Sequence, residues 1–453
     1  MNIDPMRLRP PRSLRLVSVA FGVAAFVAVI ALAAPTGAWA ADIVVTTTED
    51  SLDVDGLCSL REAVIAANTN ATADSCPAGD PGGDQIQLTP GDTYRLTIPG
   101  RDEDGALTGD LDITEGVNVW NGAIDAGGID RAFDVFPGAG FGLYIVELSH
   151  GDAGDGDGGA VRIRNDCGPG QRRMATGGLI HDNSATNGGA IAAIGCVTVE
   201  VQNATFIENA ADGDGGALWL DQGSLLNVVT ATFTGNSAGG SGGAVWATAD
   251  AFGYQLAAVT VADNEAGSTG GVGMEAGTGG VDLIDVLLAH NVGGNCEIGV
   301  PLDGQNNLSD DDSCGDLGTG SITGVDAMLE PLDDTSGLPS YGLAAGSPAI
   351  DSGLAISYET TDILDQRGTW RPQDGDGDGI AIFDIGAVEA LAAAPEEPLS
   401  GAPPSPVPEL PDTAIHGRPT PPGSPVAFLA LLIVSGMLVS GAFQLGPAEQ
   451  PSR

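Results

Sequence analysis

Residues 206–220, FIENAADGDGGALWL, set Asp212 and Asp214 among three glycines, between two apolar ends. Clustered aspartates hold hard cations and glycine-rich loops cradle phosphate, so this stretch has the residue types of a site. Three others do as well. DGDGDGIAIFDI (374–385) puts Asp374, Asp376 and Asp378 at the first, third and fifth positions of a calcium loop, with Gly379 sixth. Its twelfth position is Ile385, where an EF-hand needs glutamate, so it reads either as a calcium-stiffened turn or as a plain acidic turn. GNSAG (235–239) fits the G-x-S-x-G nucleophile pattern around Ser237, which requires a strand–turn–helix setting. Asp152, Asp155 and Asp157 lie beside His150, with Arg162 and Arg164 close behind. Carboxylates beside a base or an arginine are what cleavage of a polysaccharide needs. The four histidines are scattered, with no metal-binding pair.

Spacing decides the first case. LIHDNSATNGGAI starts at Leu179, FIENAADGDGGAL at Phe206, FTGNSAGGSGGAV at Phe233 and VADNEAGSTGGVG at Val261, and a shortened LLAHNVGGNCE starts at Leu287. Asn183, Asn209, Asn236, Asn264 and Asn291 recur at steps of 26, 27, 28 and 27, each three residues after an apolar one: Ile180, Phe206, Phe233, Val261 and Leu288. Glycine pairs at 188, 215, 242 and 270 keep the same beat. A loop copied four or five times at one pitch is scaffold. Ser237 falls inside the repeat, where sister copies carry Ala210 and Glu265, so GNSAG is a chance match.

The elements follow from the same pitch. CVTVEV and LAAVTV read as strands. A period near 27 residues suits one coil of a parallel β-helix, whose rungs stack about 4.8 Å apart. The apolar column fills the core, the asparagines form an amide ladder, and the glycines supply the positive φ of a corner. Residues 84–97 and 111–135 alternate in the same way with degraded spacing and read as early coils. Eight to ten coils would stack to very roughly 40 Å.

One helix is expected. In CSLREAVIAAN (58–68), Ser59 and Glu62 form a capping box, Leu60, Ala63, Val64 and Ala67 make one apolar stripe, and Asn68 ends it. Arg61 pairs with an acidic neighbour on the first coil. The open ends of a solenoid are unpaired edges. This helix covers the first, and residues 301–391 close the far end.

Composition narrows the partners. The net charge is −45 and all 16 basic residues are arginine, so the chain repels phosphate backbones and nucleic acid is excluded as a partner. Gly 69 with 42% apolar residues suits an all-β protein rich in tight turns. Arg7, Arg9, Arg12 and Arg15 precede the apolar run Leu16–Ala34 and the Ala38-Trp39-Ala40 cleavage signal, the pattern of a secretory leader. Val426–Phe443 is uncharged for 18 residues, long enough to span a bilayer. Between lies a proline-rich stretch whose thirty or so residues reach on the order of 90 Å when extended. Six cysteines in an exported chain imply disulfides. Cys58/Cys76, Cys167/Cys196 and Cys296/Cys314 are the local pairs, with other connectivities open.

CSLREA (58–63), followed by VIAAN and a later Cys76, resembles the CSLREA domain of exported bacterial proteins. The GGA and apolar-x-x-Asn repeats are similar to those of polymorphic outer-membrane-type β-helix proteins. SPAIDSG (347–353), DQRG (365–368), RPQDGDGDG (371–379) and DIGAVE (384–389) resemble the choice-of-anchor domain that ends many CSLREA proteins. The resemblance spans residues 42–390 and implies a right-handed parallel β-helix displayed at the cell surface. LPDTA (410–414) is similar to a sortase signal. It has Ala414 in place of glycine, a gap of eleven residues (415–425) before the apolar run and no basic cluster in the tail, which favours a plain transmembrane anchor.

The expected plan is a signal peptide (1–40), a CSLREA cap (41–83), β-helix repeats (84–300), an end domain (301–391), a proline-rich linker (392–425), a membrane anchor (426–445) and a short tail (446–453). The expected function is adhesion or binding of an extracellular glycan or protein from the membrane-anchored surface. The alternatives are a polysaccharide lyase or glycoside hydrolase using the 150–164 cluster, and a structural envelope spacer. No cofactor is expected other than calcium.

Overall fold

Alternating residues force one face of each strand inward and the other outward, and the repeat applies that rule coil after coil. The computed structural model describes residues 41–101, 103–167, 172–335, 337–354 and 364–392. The leader, nearly all of the linker, the anchor and the tail lie outside the described residues. No helix among the described residues is long and apolar enough to cross a membrane.

Strands Arg172–His181, Val197–Ile207, Leu225–Thr234, Gly253–Ala262 and Gly280–Ala289 pair in parallel, coil to coil, within a 14-stranded sheet, here the long sheet. An eight-stranded short sheet runs from Leu111–Ile113 through Phe133–Val135, Val161–Arg164, Ile191–Ile194, Leu218–Asp221, Val245–Ala247 and Val272–Met274 to Cys296–Ile298. A third ladder joins the two-residue strands Ser184–Ala185, Ala210–Ala211, Ser237–Ala238 and Glu265–Ala266. Together they make a parallel β-solenoid of about 7 turns. That is fewer than the eight to ten expected.

Ile180, Phe206, Phe233, Val261 and Leu288 share one column and are at most 1% exposed. The Phe206 and Phe233 rings stack at 4.8 Å. Asn183, Asn209, Asn236, Asn264 and Asn291 form a continuous ladder. Each Oδ1 from Asn209 onward accepts the Nδ2 of the asparagine one coil earlier, at 2.9–3.0 Å.

The glycine pairs do two different things. Gly188, Gly215 and Gly242 take φ of 64–70°, the left-handed corner. The residue after each has no room: a Cβ on Gly189, Gly216 or Gly243 would sit 2.2–2.4 Å from the carbonyl oxygen of the next coil. Gly270 falls in this second column rather than the first. Thr269 takes the place of Gly242, because the corner loop of that coil is one residue shorter. Asp212 and Asp214 belong to the same joint; Asp214 Oδ1 accepts the Ser241 N–H at 2.7 Å.

The helix α1 (Leu60–Thr69) has the full Ser59/Glu62 capping box. It ends later than expected, at a left-handed Asn70. Asn68 instead ties the helix to the first coil, donating to Asp112 O at 2.6 Å and accepting from Thr114 N at 2.9 Å. Arg61 is wholly buried. It pairs with Asp50 at 2.6 Å, within the cap segment, and donates to the carbonyls of Ala106, Gly109 and Asp110 on the first coil. Disulfides join Cys58–Cys76, Cys167–Cys196 and Cys296–Cys314, and no cysteine is free among the described residues.

The C-terminal part differs from the expected end cap. Leu302–Gln305, Leu308–Ser309 and Ile322–Thr323 add rungs to the long sheet. From Ala327 the chain then returns along the sheet's outer face. Thr205 donates to Pro339 O, Thr232 to Gln366 Oε1, and Thr260 accepts from Ala387 N. Leu287, Ala289 and Leu308 pack beneath Ala327, Leu343, Ala349 and Ile385 in a second core. The return buries that outward column.

Candidate functional site

The short sheet turns one column outward: Asp112, Asp134, Arg162, Ala192, Trp219, Trp246 and Gly273 face one another rung by rung. Its N-terminal end opens into a cleft of about 460 Å³. Arg101, Arg131, Arg162 and Arg164 line it, and so do the carboxylates Asp110, Asp130, Asp134 and Asp155. Glu103 also lines it and anchors the loop above, accepting the N–H groups of Leu107 and Thr108.

The charges interlock. Asp134 is clamped by two arginines, with Arg162 in bidentate contact at 3.1 and 2.5 Å and Arg164 at 2.7 Å. Arg164 also lies over the Phe136 ring, 4.5 Å from its centre. Arg131 reaches Asp110 at 3.0 Å and Asp130 at 3.7 Å. Arg101, on the rim, stands 3.9 Å from Asp130 and 3.7 Å from Asp152. Burial, and then the neighbouring charge of Asp130, push Asp110 up to about 6 despite Arg131. Burial, helped by the charges of Asp110, Asp134 and Glu103, outweighs the Ala106 N–H at Asp112 and pushes that carboxyl up to about 7; its Oδ1 has no hydrogen-bond partner. The site therefore sets carboxyls that hold protons near neutral pH beside Asp134, which two guanidinium groups hold.

Of the residues singled out in the sequence, Asp155, Arg162 and Arg164 line this cleft and Asp152 touches its rim through Arg101. His150 does not. It sits at a left-handed corner with its Nδ1 3.3 Å from Asp125, edge-on to His181. Asp157 accepts from Asn187 at 2.9 Å. Asp110, Asp112, Asp130, Asp134, Arg101 and Arg131 were not anticipated. The available signal was the alternation in LDI (111–113) and FDV (133–135), which turns Asp112 and Asp134 to one side. The irregular early pitch hid that they share a column with Arg162.

Among the described residues, two groups of carboxylates offer oxygens within 4.8 Å of one another. Asp110, Asp112 and Asp134 form one, but the arginines already holding Asp110 and Asp134 present like charge to a cation. Asp351, Asp374 and Asp376 form the other. Asp378 is not in it; its Oδ1 accepts the Ile380 N–H at 2.7 Å, and Asp351, from another turn, takes the third place. Ser237 pairs between Ala210 and Glu265 in the corner ladder, a strand-to-strand setting with no following helix.

Comparison with known proteins gives no match: no family model, no curated protein and no solved structure is significantly similar to this chain.

Proposed function

We propose that this is an exported, membrane-anchored surface solenoid that binds a neutral glycan in the arginine–aspartate cleft of the short sheet. The cleft carries the reading: four arginines and several carboxylates converge on one face in about 460 Å³. Sugar hydroxyls donate to carboxylates and accept from guanidinium groups, so a polyhydroxylated ligand uses both halves of such a lining. A protein partner would want an apolar anchor at the centre, and a polyanion meets arginines already paired within a chain of net charge −45. Export is supported by the leader-like N-terminus and by the disulfides, and membrane attachment by the apolar run 426–443. The CSLREA and choice-of-anchor resemblance supports surface display.

Retention of the full chain on immobilised neutral polysaccharides, but not on polyuronates, is the expected result. An Arg101→Ala/Asp155→Ala variant, which alters the rim, should lose that retention. No retention on any polysaccharide would dismiss the glycan reading and leave protein adhesion and the spacer.

A second reading, glycoside hydrolysis, is favoured by one observation: Asp110, raised to about 6, and Asp134 line the same cleft with carboxyl oxygens within 4.8 Å of each other, and such chemistry uses a pair of carboxyls. New reducing ends released from a retained polysaccharide, and lost in Asp110→Asn, would establish it. We further propose calcium at Asp351, Asp374 and Asp376. Calcium should raise the melting temperature of the native chain but not of Asp376→Asn, and no effect on the native chain would dismiss it.

A further inference from the structure

The column that opens into the cleft does not end there. Three rungs beyond Asp134, about 14 Å along the solenoid, it reaches Trp219, whose indole is only partly buried. The rung between Arg162 and Trp219 is Ala192, which carries nothing beyond Cβ and is wholly covered by its surroundings. Beyond Trp219, Trp246 is 5% exposed and reaches over Gly273, where an added Cβ would meet its ring at 2.3 Å. The outward face thus passes from charged groups through one small residue to an indole, all in a single register and without a change of sheet.

Resting on the glycan reading above, we infer that the ligand is a linear neutral polysaccharide lying parallel to the solenoid axis, with one sugar ring in the cleft and a later one against Trp219. The parts of the lining that reach solvent set its chemistry. The Arg101, Arg162 and Arg164 side chains are 39%, 24% and 33% exposed, and Asp155 is exposed at the mouth. These present hydroxyl partners at one end. An indole offers an apolar face to the C–H face of a pyranose at the other. A chain of sugars repeats on about the scale of a rung, so an oligomer of several units bridges the two while a mono- or disaccharide cannot. A branched or folded ligand would not follow a straight column.

The test is calorimetric titration of the full chain with linear neutral β-1,4-linked gluco-, xylo- and manno-oligosaccharides of two to eight units. The inference predicts that affinity for one series climbs with length and then levels off. Trp219→Ala should lower the affinity for the long members at least tenfold, to that of the short ones, and leave the short ones unchanged. Trp219→Phe should recover most of the loss, which separates stacking from a packing defect; an unchanged melting temperature for Trp219→Ala checks the same point. Long oligomers that bind Trp219→Ala as tightly as the native chain, while Arg101→Ala/Asp155→Ala abolishes binding, would overturn the inference and leave the cleft reading intact. Native protein that binds no oligomer of any length would remove both.

Discussion

Asn236 shows what a repeated residue contributes. Its Oδ1 accepts both the N–H and the Nδ2 of Asn209, at 3.1 and 2.9 Å, and its own Nδ2 donates to Phe206 O and to Asn264 Oδ1. All of these groups are away from water. Asn236→Ala should orphan several, each costing on the order of 1–3 kcal/mol. Urea unfolding should show a loss of that order or more, and a loss no larger than that of the half-buried Asn227→Ala would contradict the ladder's role. This residue was legible in the sequence because it recurs at a fixed pitch beside an apolar column. Asp134 and Arg131 were not, because each occurs once, in coils of irregular length, and their meaning lies in which rung they oppose. Spacing reveals what a coil repeats; only register reveals what it gathers.

At the scale of elements, the C-terminal segment is the least expected part. Alternation marks Thr205, Thr232 and Thr260 as outward and hence exposed, yet each is at most 3% exposed because Pro339, Gln366 and Ala387 lie over them. A partner more than a hundred residues away leaves no trace in local pattern. The cover also traps charge. Asp285 accepts from Leu354 N and lies near Arg371, which is 3.3 Å from Glu389. Burial pushes Asp285 and Glu389 up to about 7 and Asp384 up to about 6, and it is the largest cause of the rise to about 7 at Asp112, on the short sheet. Folded pKa values above the unfolded ones, near 4, mean that the folded state holds extra protons between those limits. Stability from these groups is therefore complete below about pH 4 and is lost as pH rises towards 7. The melting temperature should fall between pH 5 and pH 8. Asp285→Asn and Asp112→Asn should each flatten that fall, gaining stability at pH 8 and little at pH 4. Unchanged slopes in both variants would contradict the burial argument.

Over the whole molecule, a solenoid of about 7 turns works only if its first edge is covered. Helix α1, Arg61 and the Cys58–Cys76 bridge do that together. Closing a loop of 18 residues contributes about 3 kcal/mol in the chain-entropy account. A Cys58→Ser/Cys76→Ser variant should lose about that much and associate through the bared edge, read by light scattering. A variant as stable and monomeric as the native chain would mean the edge is protected otherwise. The cap motif and the coil architecture were both readable, because a capping box and a repeat are local signals. The return path of residues 337–354 and 364–390 was not, since its contacts are made on the long sheet's outer face.

The central claim is that the short sheet, at its arginine–aspartate cleft, is the surface that meets a glycan. Hydrogen–deuterium exchange of the full chain, with and without the polysaccharide fragment it retains, tests this most directly. Added protection concentrated in residues 103–110 and 152–157, the loops that frame the cleft, is the predicted result. Protection confined to the long sheet, or none while the fragment is bound, would contradict it.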